Sequence, residues 1–316
     1  MTDSGADLLR DRVGARVQEP FCAVLVEAGE TTVAVHDVPR DGDVELGSVS
    51  KGITGLLLHD AIDRGEVTLG TRLGDLLDVN SDVGALTLGR LATHTSGLPR
   101  LAPGTPFKKT WRWLVHAENP YGESLDELFE QLRTVRPKGD RASYSNLGFM
   151  LLGHAVAAAA GTGYASLARS RLFEPVGMTG AYVADSPEAL TSTAVRGHTR
   201  RGQEAEPWTG EALGPAGGVR ATVDDLALFV RALLCGAAPG IAALTPVRDF
   251  AGEAVRIGAG WLTSAVKDRH ITWHNGGTGG FRSYVGLDLE NQRGVAVVRA
   301  SPRSADRVGL DLLGGQ

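Results

Sequence analysis

Apolar residues follow two different spacings along the first third of the chain, and the change of spacing locates the first elements. Residues 21–26 (FCAVLV) and 31–35 (TTVAV) are apolar, β-branched runs separated by a glycine-containing turn, which predicts a β-hairpin. From Ser48 onward the apolar residues recur at helical spacing, and Gly65 ends that pattern. The start of the chain therefore predicts two paired strands followed by a helix.

The rest of the chain divides into a helical middle and a C-terminal group of strands. Apolar periodicity predicts helices over 125–135, 146–160, 164–173 and 223–234. Alternating apolar runs predict strands over 270–273, 284–289 and 295–299. Because strands lie at both ends and helices between them, we expect an α+β fold, with one sheet built from both termini and interrupted by a helical insertion.

Composition narrows the classes of protein to which the chain can belong. Hydrophobic residues make up 42% and charged residues 22%, as in ordinary globular proteins. A net charge of -5 disfavours a nucleic-acid or anionic-membrane partner, and two cysteines cannot build a disulfide scaffold. The first twenty residues contain no apolar segment of the kind found in signal peptides, and no stretch is long and apolar enough to span a membrane. We therefore expect a cytoplasmic protein.

Lysine is rare in this chain, and one lysine lies close to the start of the first predicted long helix. The 32 basic residues comprise only 5 lysines, so the position of each one is informative. Ser48 and Lys51 are three residues apart, which places both side chains on one face of a helix. A serine hydroxyl becomes a nucleophile when an adjacent base takes its proton, and backbone N–H groups at a helix N-terminus can hold an oxyanion.

Two further segments combine polar or glycine residues in ways that suit catalysis. Tyr144 and Asn146 offer a hydroxyl for proton relay and an amide for a substrate, although a loop tyrosine beside a helix N-cap explains the pair in part. His274-Asn275-Gly276-Gly277 ends a predicted strand, where glycines allow substrate and backbone to approach closely. A tight turn between two strands is the alternative interpretation of this glycine-rich segment.

The three segments occur in the chain order found in serine β-lactamases and penicillin-binding proteins. The chain resembles the class C-like branch of that superfamily, which includes class C β-lactamases, DD-peptidases, D-aminopeptidases and family VIII esterases. The stretches that carry the resemblance are GSVSKGITGLLLHDAIDRGEVTLGTRLGDLL at 47–77, LATHTSGLP at 91–99, YSNLGFMLLG at 144–153, LFEPVGMTG at 172–180, PAGGVRATVDDLALF at 215–229 and HNGGTGGF at 274–281. The resemblance implies a two-lobed β-lactamase-like fold with the active site in the cleft. Its α/β lobe would comprise 1–65 and 215–316, and its mainly helical lobe 66–214.

The resemblance also implies roles for the first two segments. Ser48 would be the acylated nucleophile, and Lys51 with Tyr144 would form the general-base system. Asn146 would contact the substrate amide or Lys51.

For the third segment, the resemblance implies contact with the substrate and its oxyanion. The backbone N–H groups of Ser48 and Gly277 would form the oxyanion hole, directly after Gly276. His274 takes the first position of this motif, where many relatives carry a lysine that holds the substrate carboxylate. Because a histidine is neutral over much of the physiological range, we expect weaker carboxylate anchoring here.

Other residues that could carry chemistry have simpler interpretations. We expect Cys22 and Cys235 to be buried structural thiols, and His94 to brace a loop. The remaining histidines lack metal-site spacing, so we expect neither a metal nor a cofactor. The aromatic residues of one segment are interpreted as core or as a pocket wall that selects an apolar acyl group: Trp111, Trp113 and Tyr121.

These observations predict a serine hydrolase that cleaves a small-molecule ester or amide, such as a β-lactam or peptide-like substrate, through an acyl-enzyme on Ser48. One alternative is a cytoplasmic acyltransferase or off-loading enzyme of a biosynthetic pathway that uses the same acyl-enzyme. A second alternative is a catalytically idle relative that serves as a binding module.

Overall fold

An eight-stranded antiparallel sheet joins the two ends of the chain. It is seen in a computed structural model that describes residues 4–101 and 118–314. The strand order is β2-β1-β11-β10-β9-β8-β7-β6, so the N-terminal hairpin pairs with the last strand. The strands of this sheet are β1 (Phe21–Glu27), β2 (Glu30–His36), β6 (Arg248–Asp249), β7 (Val255–Ile257), β8 (Leu262–Val266), β9 (Arg269–Gly277), β10 (Arg282–Asp288) and β11 (Arg293–Arg299). A smaller sheet has the order β3-β5-β4, with β3 at Val44–Glu45, β4 at Tyr182–Val183 and β5 at Val219–Ala221.

Helices cover the large sheet and fill the middle of the chain. Within the described residues the α-helices are α1 (Ser4–Gly14), α2 (Val49–Asp63), α3 (Ser81–Gly84), α4 (Leu88–Ala92), α5 (Leu125–Leu132), α6 (Asn146–Ala159), α7 (Tyr164–Ala168), α8 (Glu174–Val176), α9 (Gly214–Gly217), α10 (Val223–Leu234) and α11 (Asp306–Leu312). A π-helical turn at Arg169–Phe173 joins α7 to α8, and short 3₁₀ turns lie at Leu73–Asp75, Pro187–Ala189 and Ile241–Leu244.

Both faces of strand β1 are buried, which explains its uninterrupted apolar run. Phe21 and Ala23 point to one face and pack in a core with residues of α1 and α11. Cys22 and Val24 point to the opposite face and pack in the main core with residues of α2, α6 and α10. Because alternate residues of a strand face opposite sides, a sheet covered on both sides requires apolar residues at every position.

Helix α2 runs through the main core and positions the first motif. Twelve of its residues are buried, so it has no polar face. It packs against α6 and α9 and touches β9 and β10. A Cβ on Gly55 would lie 1.8 Å from the Ala259 carbonyl oxygen, so this close approach requires glycine. The helix is thereby fixed against the segment that leads into β8.

The predicted elements are present, with differences at their ends. The hairpin and the helices at 125–135, 146–160 and 223–234 are confirmed as β1–β2, α5, α6 and α10. The helix predicted over 164–173 is divided, because a π-helical turn follows Ala168. The expectation of a buried thiol is confirmed for Cys22 and wrong for Cys235, which is exposed at the end of α10.

The structure contains further elements that the sequence pattern did not predict. They include α1, α3, α4, α9, α11, the strands β6 to β8 and the small sheet. Among the described residues, no single helix has the length and apolarity to cross a membrane; only the pair Asn146–Ala159 and Tyr164–Val176, bent by 76°, meets that criterion together. Trp111 and Trp113, interpreted above as core or pocket wall, lie outside the described residues.

Candidate active site

Ser48 and Lys51 meet at the N-terminal end of α2. Ser48 is the N-cap residue, and Gly47 before it adopts a φ of +51°, a backbone conformation that favours glycine. Lys51 Nζ lies 3.1 Å from Ser48 Oγ and donates to the Ala216 carbonyl at 2.5 Å. The three-residue spacing therefore places the amine beside the hydroxyl, as the helical pattern predicts.

The environment of Lys51 favours its neutral form. The side chain is fully buried, and this burial lowers the pKa of Lys51 well below its usual value. The positive charge of Arg100 lowers the pKa of Lys51 further. A neutral amine has a free electron pair, so Lys51 can accept the Ser48 proton.

Tyr144 also lies beside the Lys51 amine, and its hydroxyl is held in the protonated form. Burial raises the pKa of Tyr144 to about 12, although its hydrogen bond with Ser48 and the charge of Arg100 act in the opposite direction. Lys51 Nζ is 5.0 Å from the centre of the Tyr144 ring. The protonated hydroxyl can therefore relay a proton between Ser48 and a leaving group, while Lys51 supplies the free base.

His94 braces the segment that carries Tyr144. Its ring centre is 4.6 Å from that of Tyr144, and its Nδ1 accepts the Ser145 N–H at 3.2 Å. Its carbonyl accepts the Ser143 N–H at 2.8 Å, and burial lowers the pKa of His94 well below its usual value. His94 is thus a neutral acceptor that fixes the loop on both sides of Tyr144, which is the bracing role expected from the sequence.

Asn146 is the first residue of α6 and faces the same cavity as Ser48. Its Nδ2 donates to the Tyr121 hydroxyl at 2.8 Å, and its buried Oδ1 has no hydrogen-bond partner among the described residues. The alternative that Asn146 caps the helix is wrong, because Ser145 is the N-cap and accepts the Gly148 N–H at 2.9 Å. The Asn146 amide makes no hydrogen bond to Lys51, whose described partners are Ser48 and Ala216.

The glycines at the end of β9 bring its backbone against the Ser48 turn. A Cβ on Gly276 would lie 3.0 Å from the Ser48 nitrogen, and a Cβ on Gly47 would lie 2.7 Å from the Gly277 nitrogen. The backbone nitrogens of Ser48 and Gly277 are therefore neighbours at one edge of the cavity. Two adjacent N–H groups beside a nucleophile can hold a tetrahedral oxyanion.

The His274 side chain lies on the Tyr144 side of the oxyanion edge and does not line the cavity. It is only 2% exposed. Its Nδ1 donates to the Asn275 carbonyl at 2.6 Å, and burial, reinforced by the charge of Lys51, lowers the pKa of His274 to about 3. A neutral, buried ring gives no support to the expectation that His274 contacts the substrate.

The cavity in front of Ser48 has a volume of about 590 Å³ and combines an apolar wall with charged residues. The apolar wall comprises Leu101, Tyr121, Leu128, Met150 and Trp208. The charged lining residues are Arg100, Glu123, Arg282 and Asp306. Sequence reasoning included Tyr121 as a possible wall residue and missed all four charged residues. A signal existed for two of them, since Arg100 directly follows LATHTSGLP and Arg282 directly follows HNGGTGGF.

Buried hydrogen bonds hold two parts of this lining in place. Glu45 accepts the Trp208 backbone N–H at 3.0 Å and is paired with Arg220 at 3.1 Å, which anchors the apolar wall to the small sheet. Arg282 donates to the carbonyls of Thr278 and Phe281, both at 2.7 Å, which shapes the loop after Gly277. The cavity wall and the oxyanion edge are therefore both internally fixed.

A serine beside a neutral buried amine, with two backbone N–H groups at the edge of one cavity, is the arrangement of a serine hydrolase that works through a covalent intermediate. The chain belongs to the Beta-lactamase family, a family of serine hydrolases. The model of this family matches residues 16–313. It is 29% identical over 298 residues to the D-alanyl-D-alanine-carboxypeptidase/endopeptidase AmpH of Escherichia coli strain K12, covering 85% of this chain and 74% of AmpH.

Solved structures show the same fold. A class C beta-lactamase from Rhodobacter sphaeroides superimposes with a TM-score of 0.81 at 21% identity, covering 99% of each chain. The D-alanine carboxypeptidase AmpC from Burkholderia cenocepacia gives a TM-score of 0.79 at 23% identity, covering 98% of this chain and all of that one. The α+β fold expected from the sequence is therefore the class C beta-lactamase fold.

Proposed function

We propose that this protein cleaves an ester or amide of a small molecule through an acyl-enzyme on Ser48. The observation that carries the proposal is the 3.1 Å contact between Ser48 Oγ and a fully buried Lys51 amine at a cavity of about 590 Å³. Burying an amine without a carboxylate partner destabilises its charged form, so the site maintains a base next to the nucleophile. A binding module would not need this costly arrangement.

In the proposed reaction, Lys51 and Tyr144 transfer the proton that Ser48 releases. Lys51 takes the Ser48 proton as Oγ forms a bond to the substrate carbonyl carbon, and the oxyanion is held by the N–H groups of Ser48 and Gly277. The proton then passes through Tyr144 to the leaving oxygen or nitrogen, whose bond to carbon breaks. Water repeats the sequence on the acyl-enzyme, and the acid is released from regenerated Ser48.

The cavity lining supports a substrate with an apolar acyl group. Tyr121, Met150 and Trp208 form part of a wall that can bury such a group. Since AmpH is named as a D-alanyl-D-alanine-carboxypeptidase/endopeptidase, a D-alanyl-D-alanine peptide is a natural second substrate to test. Water as the final acceptor distinguishes this proposal from an acyltransferase.

The test is acylation of Ser48 followed by intact mass spectrometry. Wild-type protein is exposed to p-nitrophenyl butyrate, a β-lactam and a D-alanyl-D-alanine peptide, with and without an added amine acceptor. Ser48→Ala should lose at least about 1,000-fold in turnover and all acylation. Ser166→Ala, on the exposed part of α7, is the matched control. Wild-type turnover by the Ser48→Ala protein would refute the proposal, and an amine-dependent product would assign acyl transfer.

A further inference from the structure

The loop after α4 places an arginine side chain over Tyr144. Arg100 Cζ lies 5.2 Å from the centre of the Tyr144 ring. The Arg100 carbonyl accepts the N–H groups of Asn146 at 3.0 Å and Leu147 at 3.4 Å, which ties its backbone to the first turn of α6. The backbone of Arg100 is therefore fixed to the same segment that carries Tyr144.

Within 4–101 and 118–314, no acidic side chain is paired with Arg100. Among the described residues, its guanidinium makes no ion pair and no hydrogen bond, although it is exposed at the cavity. The titratable and charged groups that face Lys51 and Tyr144 come from α2, from the loops around α4 and before α5, and from β9. They are Lys51 itself, which faces Tyr144, and five further residues: His94, Arg100, Tyr121, Glu123 and His274.

Arg100 is the cation of this group that lies over Tyr144. His94 and His274 are neutral because both are buried, and Tyr121 is protonated for the same reason. Arg100 opposes the ammonium form of Lys51 and favours the anionic form of Tyr144. The first effect keeps Lys51 in the neutral form that can accept the Ser48 proton, and Tyr144 stays protonated because burial outweighs the charge of Arg100.

We propose that Arg100 is a positioning residue of the general base, whose positive charge beside Tyr144 keeps Lys51 ready to take the Ser48 proton. This inference rests on the proposed function, since it concerns the activation of Ser48. Arg100 touches neither Ser48 nor Lys51, so it acts through its electric field. Its consequence is that Arg100 sets the pH at which Ser48 becomes reactive.

The experiment measures the rate at which a neutral fluorophosphonate labels Ser48 between pH 5 and 10, followed by intact mass. Removing the charge in Arg100→Gln should move the acidic limb of this profile to higher pH, because Arg100 then no longer opposes the ammonium form of Lys51. A shift of about 0.5 to 1 unit is expected for a charge that is partly screened by solvent. Arg100→Lys, which retains the charge, should restore most of the wild-type limb. Arg231→Gln, at an exposed position of α10, is the control.

A neutral probe separates this role from the binding of a substrate carboxylate, which would leave the limb of the profile unchanged. Added salt should move the limb of the wild-type protein in the same direction as Arg100→Gln, because an exposed charge is screened. An Arg100→Gln limb that coincides with the wild-type limb, even with a uniformly lower rate, overturns the inference. Absence of labelling in the wild-type protein at every pH would instead refute the proposed function.

Discussion

Replacing Gly276 with alanine tests whether β9 must lie directly against the nucleophile turn for Ser48 to react. A Cβ at this position would lie 2.1 Å from the Leu46 carbonyl oxygen and 2.3 Å from Ser283 Oγ. Ser283 Oγ already donates to that carbonyl at 2.7 Å, so the two groups form one fixed contact. Since Cβ contacts below 3.0 Å essentially do not occur, Leu46 and the strand must separate by about 1 Å.

The magnitude of the effect follows from what this displacement moves. Leu46 immediately precedes the turn that carries Ser48, while Gly277 follows Gly276 on β9. A misplacement of about 1 Å costs about 100-fold, and loss of one oxyanion donor costs about 100- to 1,000-fold, so kcat should fall by two to three orders of magnitude. Overpacking of this kind also costs about 1–3 kcal/mol of stability, which lowers Tm by several degrees.

The assay combines steady-state hydrolysis of p-nitrophenyl butyrate with thermal unfolding. Gly14→Ala is the control, because nothing lies within 4 Å of the Cβ that it adds. We expect the loss in Gly276→Ala to fall mainly on kcat, with a smaller change in KM, since the apolar wall of the cavity is untouched. A Gly276→Ala protein with kcat within about threefold of wild type and an unchanged Tm would refute this reasoning.

Two predictions concern stability and pH. Lys51→Met should abolish activity yet raise the free energy of unfolding at pH 6. In the wild-type protein, the lysine of the unfolded state stays protonated up to about its ordinary pKa of 10.5, whereas burial opposes its protonation in the folded state. Methionine removes this cost of folding. The gain over wild type should shrink by up to about 1.4 kcal/mol per pH unit as pH rises, and a gain that urea unfolding shows to be independent of pH would contradict this sign. The second prediction concerns His274, whose pKa is lowered from 6.5 to about 3 in the folded state. Between these two pH values the unfolded state binds one more proton than the folded state. The protein therefore loses stability as pH falls through this range. His274→Gln should reduce that slope between pH 4 and 6 by up to about 1.4 kcal/mol per pH unit in urea unfolding, and an unchanged slope would show that the ring is protonated in the fold.

The local parts of the fold were predictable because their patterns depend on neighbouring residues. Residues 21–26 alternate between two buried faces, and the helical spacing after Ser48 fixes Lys51 on the same side as the hydroxyl. In both cases the geometry of one element determines the result. The order of three motifs then allowed the family resemblance to complete the α+β fold.

Elements without a strong apolar pattern were missed. Strand β6 consists of the exposed pair Arg248–Asp249, and α1 carries charged residues on much of its surface, so neither shows a clear period. These elements form because they pair with or cover a sheet that is already in place. The division into lobes at 66–214 and the cytoplasmic location stay predictions.

His274 shows why the sequence pattern did not identify the charged residues that line the cavity, although Arg100 and Arg282 directly follow two of the recognised segments. The resemblance implied that His274 contacts the substrate, but the pattern could not show that the side chain is buried and absent from the cavity lining. The cationic groups at the cavity come instead from Arg100, in the loop after α4, and Arg282, at the start of β10, which meet only in the folded chain. A catalytic pair whose geometry depends on spacing within one helix can therefore be predicted from the sequence. The charged residues around the cavity are brought together by tertiary contacts, so their arrangement cannot be predicted in this way. For this family member, changes in specificity should accordingly arise from the loops around Arg100 and Arg282 while the Ser48–Lys51 pair stays constant.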